Sequence, residues 1–346
     1  MQFLVILYLI LPYFYLFMIS VSKRGKDEIV GFNLHGGLLI LLFYMFTLVL
    51  VDSYDKPVYL EYFLDPTFYE SYTRELIWGK LQLFLRSILM SNETLYLFFY
   101  SFIYCLAYYF ITKKFFPYQY AGYFVLCVVG CMGFVSYGSN TIRAGFGLAL
   151  LMLAICANKR WVKIGLVIVA IGCNMPMLIP VTGYLFANYV IKKERWCEGV
   201  WVLFLLITSL TSVVSDIMTL AGGLDARTAD WSDGDGSDVY NVGFRVDFLI
   251  YSLVPLLFAR YNIKNLIVEA PIYRAIYRTY LLVNSLWLLL IRVPYTDRFA
   301  YLSWFMIPFL LLYPILNGFI KLQHPQRYIL FSISIFIIVN SVLTLK

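Results

Sequence analysis

The chain has 346 residues, of which 62% are hydrophobic and 19% aromatic, while only 14% are charged and the formal net charge is +7. A soluble protein of this size has too little interior to bury so much apolar surface, which excludes the soluble globular classes. Apolar stretches about as long as a bilayer core requires of a helix recur along the whole sequence. The composition therefore predicts an all-α polytopic membrane protein.

The predicted transmembrane helices follow one another from the first residues to the last. Residues 3–20 lack the basic start and the small-residue cleavage site of a signal peptide, so we interpret them as a retained helix. The stretch 162–190 is either one long helix broken at its prolines or two short helices that turn at residues 173–177. The other predicted helices cover 30–51, 95–112, 118–137, 142–157, 199–220, 244–261, 273–291, 299–318 and 328–345.

The distribution of charge decides between the two readings of 162–190. If the N-terminus is outside and 162–190 is a hairpin, the chain has about twelve spans (ten to twelve), and most of its basic residues fall on one face. A single span would place one of the two flanking basic clusters on the wrong side, so the hairpin is preferred. We predict one integral membrane domain over residues 1–346. The clusters on the inner face are Lys23/Arg24/Lys26, Lys113/Lys114, Lys159/Arg160/Lys163, Lys192/Lys193/Arg195, Arg260/Lys264/Arg274/Arg278 and Lys321/Arg327.

Two loops on the predicted outer face are long, at residues 52–92 and 222–243. The first contains LIWGKLQLFLRSILM, whose apolar residues are interrupted by Lys80, Gln82 and Arg86. Such a segment is too short and too charged to span easily, which predicts a helix lying at the membrane interface. Long ordered loops on one face of a bundle are where function tends to lie.

Several classes of chemistry are excluded by residues that the sequence lacks. Both histidines, His35 and His324, map to the inner face, so the outer face has no histidine for a general base or a metal site. The sequence has neither a phosphate loop nor a dinucleotide fingerprint, and we expect no cofactor. The acidic segment 233–238 resembles the start of a calcium loop, but it lacks the glycine and glutamate that such a loop needs. We therefore predict no metal.

Arginines and carboxylates concentrate near the predicted outer boundary. Ionisable groups at membrane depth are costly and are therefore candidates for function, although interfacial anchors and structural ion pairs are the alternative. Arginine is planar and permanently charged, so it suits a diphosphate. The candidates are Asp55, Glu75, Arg143, Arg245, Arg292, Asp297 and Arg298.

Four short motifs occur in an order that resembles one family. Asp55 is followed by Tyr59 near the end of the second span, and Asn140 and Arg143 open a helix of small and apolar residues. A basic inner loop then leads into a helix, a turn and a proline-bearing return helix, and a late Arg298 is followed by Tyr301. Together these motifs resemble the EpsG-like branch of the Wzy-type polysaccharide polymerases. At the turn, where that family usually has a histidine, this chain has Asn174.

The resemblance implies a glycosyltransferase at the outer face of the bacterial inner membrane. It would transfer a growing glycan from a polyprenyl diphosphate to a new lipid-linked repeat unit, in O-antigen or exopolysaccharide biosynthesis. Its partners would be polyprenyl-diphosphate-linked oligosaccharide, membrane lipid and a chain-length regulator, with no nucleic acid.

The roles that the resemblance implies fall on eleven residues. Arg143 and Arg298, and then Arg245 and Arg292, would bind the diphosphate. Asp55, and then Asp297 or Glu75, would act as base or contact the acceptor. Asn140, Asn174, Tyr59 and Tyr301 would complete the substrate contacts.

Four alternatives remain to be weighed from the sequence. A lipid-linked glycan flippase would need charges lining a cavity through the mid-membrane, and an O-antigen ligase would differ mainly in its acceptor. A membrane O-acyltransferase would need a histidine at its site. A structural or channel role is the remaining alternative.

Overall fold

The computed structural model describes residues 31–65, 67, 75–211, 244–265, 270–292, 296–320 and 324–344. Every regular element in these ranges is helical, in agreement with the predicted all-α class. The predicted first helix and the predicted second outer loop, including its acidic segment, lie outside the described residues. The helices are α1 Leu34–Leu50, α2 Lys56–Leu64, α3 Leu76–Leu89, α4 Glu93–Phe115, α5 Ala121–Val129, α6 Met132–Val135, α7 Ile142–Cys156, α8 Arg160–Cys173, α9 Leu178–Leu185, α10 Glu194–Leu210, α11 Val246–Asn265, α12 Pro271–Leu289, α13 Thr296–Trp304, α14 Ile307–Leu316 and α15 Pro325–Thr344.

Only some of these helices are both long and apolar enough to cross a membrane. Three described segments qualify, Glu93–Phe115, Val246–Lys264 and Thr296–Leu316, and a fourth does if α5 and the helical stretch after it form one bent span. The expected number of about twelve spans is therefore not confirmed. Large apolar side chains such as Leu39 and Trp161 are nevertheless exposed on helix surfaces, as in a membrane-embedded protein.

The chain separates into two compact units. Unit 1 comprises Met1–Leu178 with Leu312–Lys346, and unit 2 comprises Ile179–Leu311. In unit 1, α5 is the core, because all of its residues are buried. Helix α1 packs against α4 and α5, while α7 packs against α4 and α8.

One predicted helix of unit 1 is interrupted. Residues 118–137 were expected to form a single span, but α5 ends at Gly130 and Cys131 is extended, with φ −81° and ψ 141°. The axis bends by 75° between α5 and the helical stretch Met132–Asn140. The last part of that stretch, Ser136–Asn140, is a π-helical turn. The expected loop before Arg143 is thus largely helical, and α7 begins at Ile142.

The ambiguous stretch 162–190 contains two helices. Helix α8 ends at Cys173, Asn174 is extended with φ −151° and ψ 101°, and a 3₁₀ turn over Met175–Met177 leads into α9. Pro176 lies in that turn, where its missing N–H costs no helical hydrogen bond. Helix α9 continues as a π-helix over Phe186–Ile191.

The described part of the predicted first outer loop, residues 52–65, 67 and 75–92, contains two helices. Helix α3 coincides with the predicted interfacial segment, and Trp78, Gly79, Gln82 and Leu85 form its buried face. Helix α2 was not predicted. Pro57 occupies its first turn, a position that favours helix initiation.

Helix α12 is the centre of unit 2 and packs against α10, α11 and α13. A neutral hydrogen-bond network joins these helices. Asn284 accepts from Trp201 Nε1 at 2.8 Å and donates to Ser303 Oγ at 3.0 Å and Ser252 Oγ at 3.3 Å. Trp304 Nε1 donates to the same Ser252 oxygen at 2.7 Å. Buried amides and hydroxyls that satisfy one another in this way fix the packing of apolar helices.

In unit 2, two acids at the beginning of α10 pair with basic residues of α11 and α12. Glu194 accepts from Arg274 at 3.3 Å and from Arg278 at 2.9 Å. Glu198 accepts from Tyr277 at 3.0 Å and pairs with Arg260 at 3.4 Å. The basic clusters that were predicted on inner loops here are thus partly neutralised by acids from a neighbouring segment.

Candidate functional site

Glu75, at the beginning of α3, joins three segments of unit 1 that are distant in sequence. Its Oε2 atom forms an ion pair and hydrogen bond with Arg143 Nη1 at the beginning of α7. Its Oε1 atom accepts the N–H of Met175 at 3.1 Å, in the turn between α8 and α9. Glu75 is only 6% exposed, and a buried carboxylate needs such partners because desolvation of a lone charge is costly. The distribution of charge along the sequence predicts that all three segments lie on the outer face.

Arg143 is less buried than its partner, since 23% of its side chain is exposed. It is the second residue of α7, where backbone N–H groups without helical partners favour nearby negative charge. Glu75 supplies such a charge within the protein.

Glycines allow the segments around this pair to pack closely. A Cβ atom at Gly145 would overlap the backbone carbonyl of Tyr137, and one at Gly147 would lie 2.8 Å from Met177 Cγ. A Cβ at Gly172 would overlap Ile77 on α3. The absence of a side chain at these three positions lets other parts of the chain pack closely around the pair.

The segment that carries Asp55 lies against the turn before Arg143. The N–H of Asp55 donates to Asn140 Oδ1 at 2.8 Å, and the Ser53 hydroxyl donates to the Ser139 carbonyl at 2.8 Å. Asp55 is partly exposed. The side-chain oxygen of Asn140 thus holds the Asp55 segment in place.

Lys56 was not predicted as part of this region, yet it holds the Asp55 segment from the other side. Its ammonium is buried and donates to the carbonyls of Val49 and Val51, each at 2.6 Å, at the end of α1. Burial lowers the pKa of Lys56, and nearby Asp52 partly offsets that effect. A lysine placed just after a predicted helix end is the signal that points to such a capping role.

The remaining predicted residues of unit 1 lie around this centre. Tyr59 packs edge-on against Trp78 of α3, with 6.3 Å between ring centroids. Trp78 also contacts Phe146 of α7, which connects α3 with the helix that carries Arg143. Asn174 is 4% exposed, and its side-chain amide makes no hydrogen bond with another described residue.

In unit 2 the predicted arginines have local partners. Arg245 forms a two-pronged pair with Asp247, from Nε at 2.9 Å and from Nη2 at 2.6 Å, and its guanidinium lies 3.7 Å from the Phe248 ring centroid. Arg292 Nε donates to the Thr208 carbonyl at 3.1 Å in the last turn of α10. Arg292 thus caps a helix end with one edge of its guanidinium.

Asp297, Arg298 and Tyr301 lie together at the beginning of α13. Asp297 is beside Arg298 and within hydrogen-bonding reach of the Tyr301 hydroxyl. Arg245 is close enough to Asp297 to interact with it electrostatically. The predicted residues therefore form two groups, one in each unit: Asp55, Tyr59, Glu75, Asn140, Arg143 and Asn174 in unit 1, and Arg245, Arg292, Asp297, Arg298 and Tyr301 in unit 2.

The described residues form apolar helices with large apolar side chains exposed on their surfaces, which places the protein in the class of membrane-embedded proteins. A family model described as the EpsG family matches residues 37–345, which is nearly the whole chain, and the protein belongs to that family. No curated protein and no solved structure matches the chain. The family resemblance inferred from the four motifs is confirmed, and EpsG-like polymerases belong to the Wzy-type group. Membership indicates a polysaccharide polymerase-type function.

Proposed function

We propose that the protein polymerises lipid-linked glycan repeat units at the outer face of the bacterial inner membrane. It would transfer the growing glycan from a polyprenyl diphosphate to the non-reducing end of a new lipid-linked unit. The observation that carries this proposal is the position of Arg143, which is partly exposed, held by Glu75 and close in sequence to the turn that binds the Asp55 segment. A permanent cation for the departing diphosphate and a nearby carboxylate for the acceptor hydroxyl are what such a transfer needs.

The proposed reaction exchanges one bond to the anomeric carbon for another. The acceptor hydroxyl oxygen forms a bond to that carbon, the bond from the carbon to the diphosphate oxygen breaks, and its electron pair leaves with the diphosphate. Arg143 would stabilise the charge that accumulates on the departing diphosphate, with no metal required for that role.

A carboxylate would take the proton of the acceptor hydroxyl. We propose Asp55 for this role rather than Glu75, because both oxygens of Glu75 are engaged by Arg143 and Met175. The Asp55 backbone N–H donates to Asn140 Oδ1, and this hydrogen bond fixes the segment that carries Asp55. Asp297, beside Tyr301, remains the candidate acceptor contact in unit 2.

The arginines of unit 2 differ in what they offer a second diphosphate. Arg245 already uses two nitrogens on Asp247, so it is the least suited of them. Among the described residues, Arg292 donates from Nε to the Thr208 carbonyl, and we propose that the terminal edge of its guanidinium binds a ligand. We therefore retain Arg298 and Arg292 as proposed ligands in unit 2, with lipid-linked oligosaccharide and membrane lipid as the partners.

The test is a gel of surface glycans from cells that lack the protein, complemented with wild type, Arg143→Ala or Arg160→Ala. Arg160 is exposed on α8 and supplies a control with the same loss of charge. We expect a full ladder with wild type and with Arg160→Ala. With Arg143→Ala, present in the membrane at wild-type level, only core plus a single repeat should remain.

The other outcomes distinguish the remaining classes. Loss of even the single repeat in cells lacking the protein would point to a flippase or a ligase. A full ladder with Arg143→Ala would show that Arg143 is an interfacial anchor and that the proposed site is wrong.

A further inference from the structure

Glu75 uses its whole carboxylate on the protein. One oxygen binds Arg143 Nη1 and the other accepts the Met175 N–H at 3.1 Å, and the side chain is 6% exposed. A general base must reach a substrate hydroxyl with an accessible lone pair, and this carboxylate is poorly placed for that. Its contacts instead fix the orientation of a cation and the start of a turn.

We infer that Glu75 is a positioning residue whose carboxylate pre-orients Arg143 for an anionic ligand. This inference rests on the proposed function and specifies how its diphosphate site is built. An arginine on a surface loses rotamer freedom when it binds a phosphate, and a partner that already orders the side chain reduces that loss. Glu75 does so from a buried position at the beginning of α3, and its carboxylate also accepts the Met175 N–H in the turn between α8 and α9.

The packing around the pair favours the same interpretation. Gly147 allows α7 to approach the 174–177 turn, and Gly172 allows α8 to approach Ile77 on α3. Because these contacts are close, the carboxylate has a defined position relative to the first turn of α7. Because the Glu75 carboxylate has a fixed position, it also fixes the orientation of the Arg143 guanidinium. A ligand that binds the guanidinium needs that orientation.

The inference and simple electrostatics predict opposite changes in anion affinity when Glu75 is neutralised. Glu75→Gln removes a negative charge beside Arg143, so Coulomb's law alone predicts tighter binding of an anion. If the carboxylate positions Arg143, the same change lets the guanidinium move, and anion binding becomes weaker. The direction of the change therefore separates the two roles.

The experiment measures binding of inorganic pyrophosphate to the purified full-length protein in lipid nanodiscs by calorimetry. The variants are Glu75→Gln, Arg143→Ala, the double variant, and Glu61→Gln as a control with the same charge change at an exposed site. We expect Glu75→Gln to raise the pyrophosphate Kd by about tenfold or more, since small misplacements of a binding group have effects of this order. Glu61→Gln should match wild type.

The double variant tests whether Glu75 acts through Arg143. In the Arg143→Ala background, Glu75→Gln should cause no further loss, because its effect passes through the missing arginine. If Glu75→Gln does not accumulate as folded protein, Glu75→Asp replaces it. That variant keeps the charge, shortens the side chain by one methylene and is expected to weaken binding in the same direction.

Three results would overturn the inference. Pyrophosphate binding by Glu75→Gln or Glu75→Asp that equals or exceeds wild type would show that Glu75 does not position Arg143. Additive losses in the double variant would show that it acts elsewhere. Failure of wild type to bind pyrophosphate, or equal binding by Arg143→Ala, would instead reject the diphosphate site of the proposed function, and the inference with it.

Discussion

The two units hold their arginines in different ways. In unit 1, Arg143 pairs with a carboxylate 68 residues away in the sequence, and that carboxylate also binds a third segment. In unit 2, Arg245 pairs with Asp247 two residues further along the same helix start and stacks on Phe248. The first pair exists only because the unit is folded, whereas the second can form within one helical turn.

This difference separates two kinds of charged pair in a membrane protein. A long-range, largely buried pair fastens segments together, so its loss affects a site. A local, partly exposed pair contributes little to stability, because solvent screens it and its partners are already neighbours. The interior of unit 2 depends instead on the neutral network around Asn284.

Gly145→Ala is expected to have the largest effect on stability, because it disturbs the backbone packing around the unit 1 site. The added Cβ would overlap the Tyr137 carbonyl, and neither atom belongs to a flexible side chain. We expect a loss of about 3 kcal/mol in stability or failure to accumulate. Gly165→Ala on α8 is the control, since nothing lies within 4 Å of its Cβ position.

The measurement is thermal unfolding in detergent, followed by size-exclusion chromatography. Gly165→Ala should unfold at or slightly above the wild-type temperature, since alanine favours a helix interior by about 1 kcal/mol. Equal stability of the two alanine variants would show that α7 and the π-helical turn are not packed as described.

Asn284→Leu is expected to have an intermediate effect, confined to unit 2. The change leaves Trp201 Nε1 without its acceptor and removes donors from Ser252 and Ser303. We expect a loss of about 2 kcal/mol, since each hydrogen bond between membrane helices contributes modestly. Ser285→Ala is the control, because the Ser285 hydroxyl bonds only to the Leu281 carbonyl of its own helix. Denaturation in mixed micelles should separate the two variants, and identical curves would contradict a network role for Asn284.

Arg245→Ala is expected to have the smallest effect. Its pair with Asp247 is local and partly exposed, so we expect about 1 kcal/mol or less in stability and an unchanged glycan ladder. The comparison is made on the same gel as Arg143→Ala. A ladder that shortens with Arg245→Ala would mean that Arg245 exchanges Asp247 for substrate, and the contrast between the units would then fail.

The features of the fold that could be predicted are those that depend on the local sequence pattern. Apolar periodicity with interrupting charges located α3, and the prolines together with the flanking basic clusters predicted the break at residues 173–177. The opening of α7 near Arg143 also followed from sequence.

The features that were missed depend on the rest of the molecule. The break at Cys131 lies inside an uninterrupted apolar run, so the local sequence does not indicate that a helix ends there. Only the packing against other helices shows it. The partnership of Glu75 with Arg143 could not be predicted either, although both residues were candidates, because no spacing rule connects positions 68 apart. The role of Lys56 depended on knowing where α1 ends.

The short length of α8 affects how deep in the bilayer the Glu75–Met175 contact would lie. A helix of 14 residues is about 21 Å long, whereas the hydrocarbon core of a bilayer is about 30 Å thick. If its basic start lay at one membrane surface, as the proposed topology requires, its end at Cys173 would lie below the opposite surface, and so would the Glu75–Met175 contact. A polyprenyl carrier would then meet this site without being lifted out of the bilayer, and the acceptor sugar would come down to it from the water.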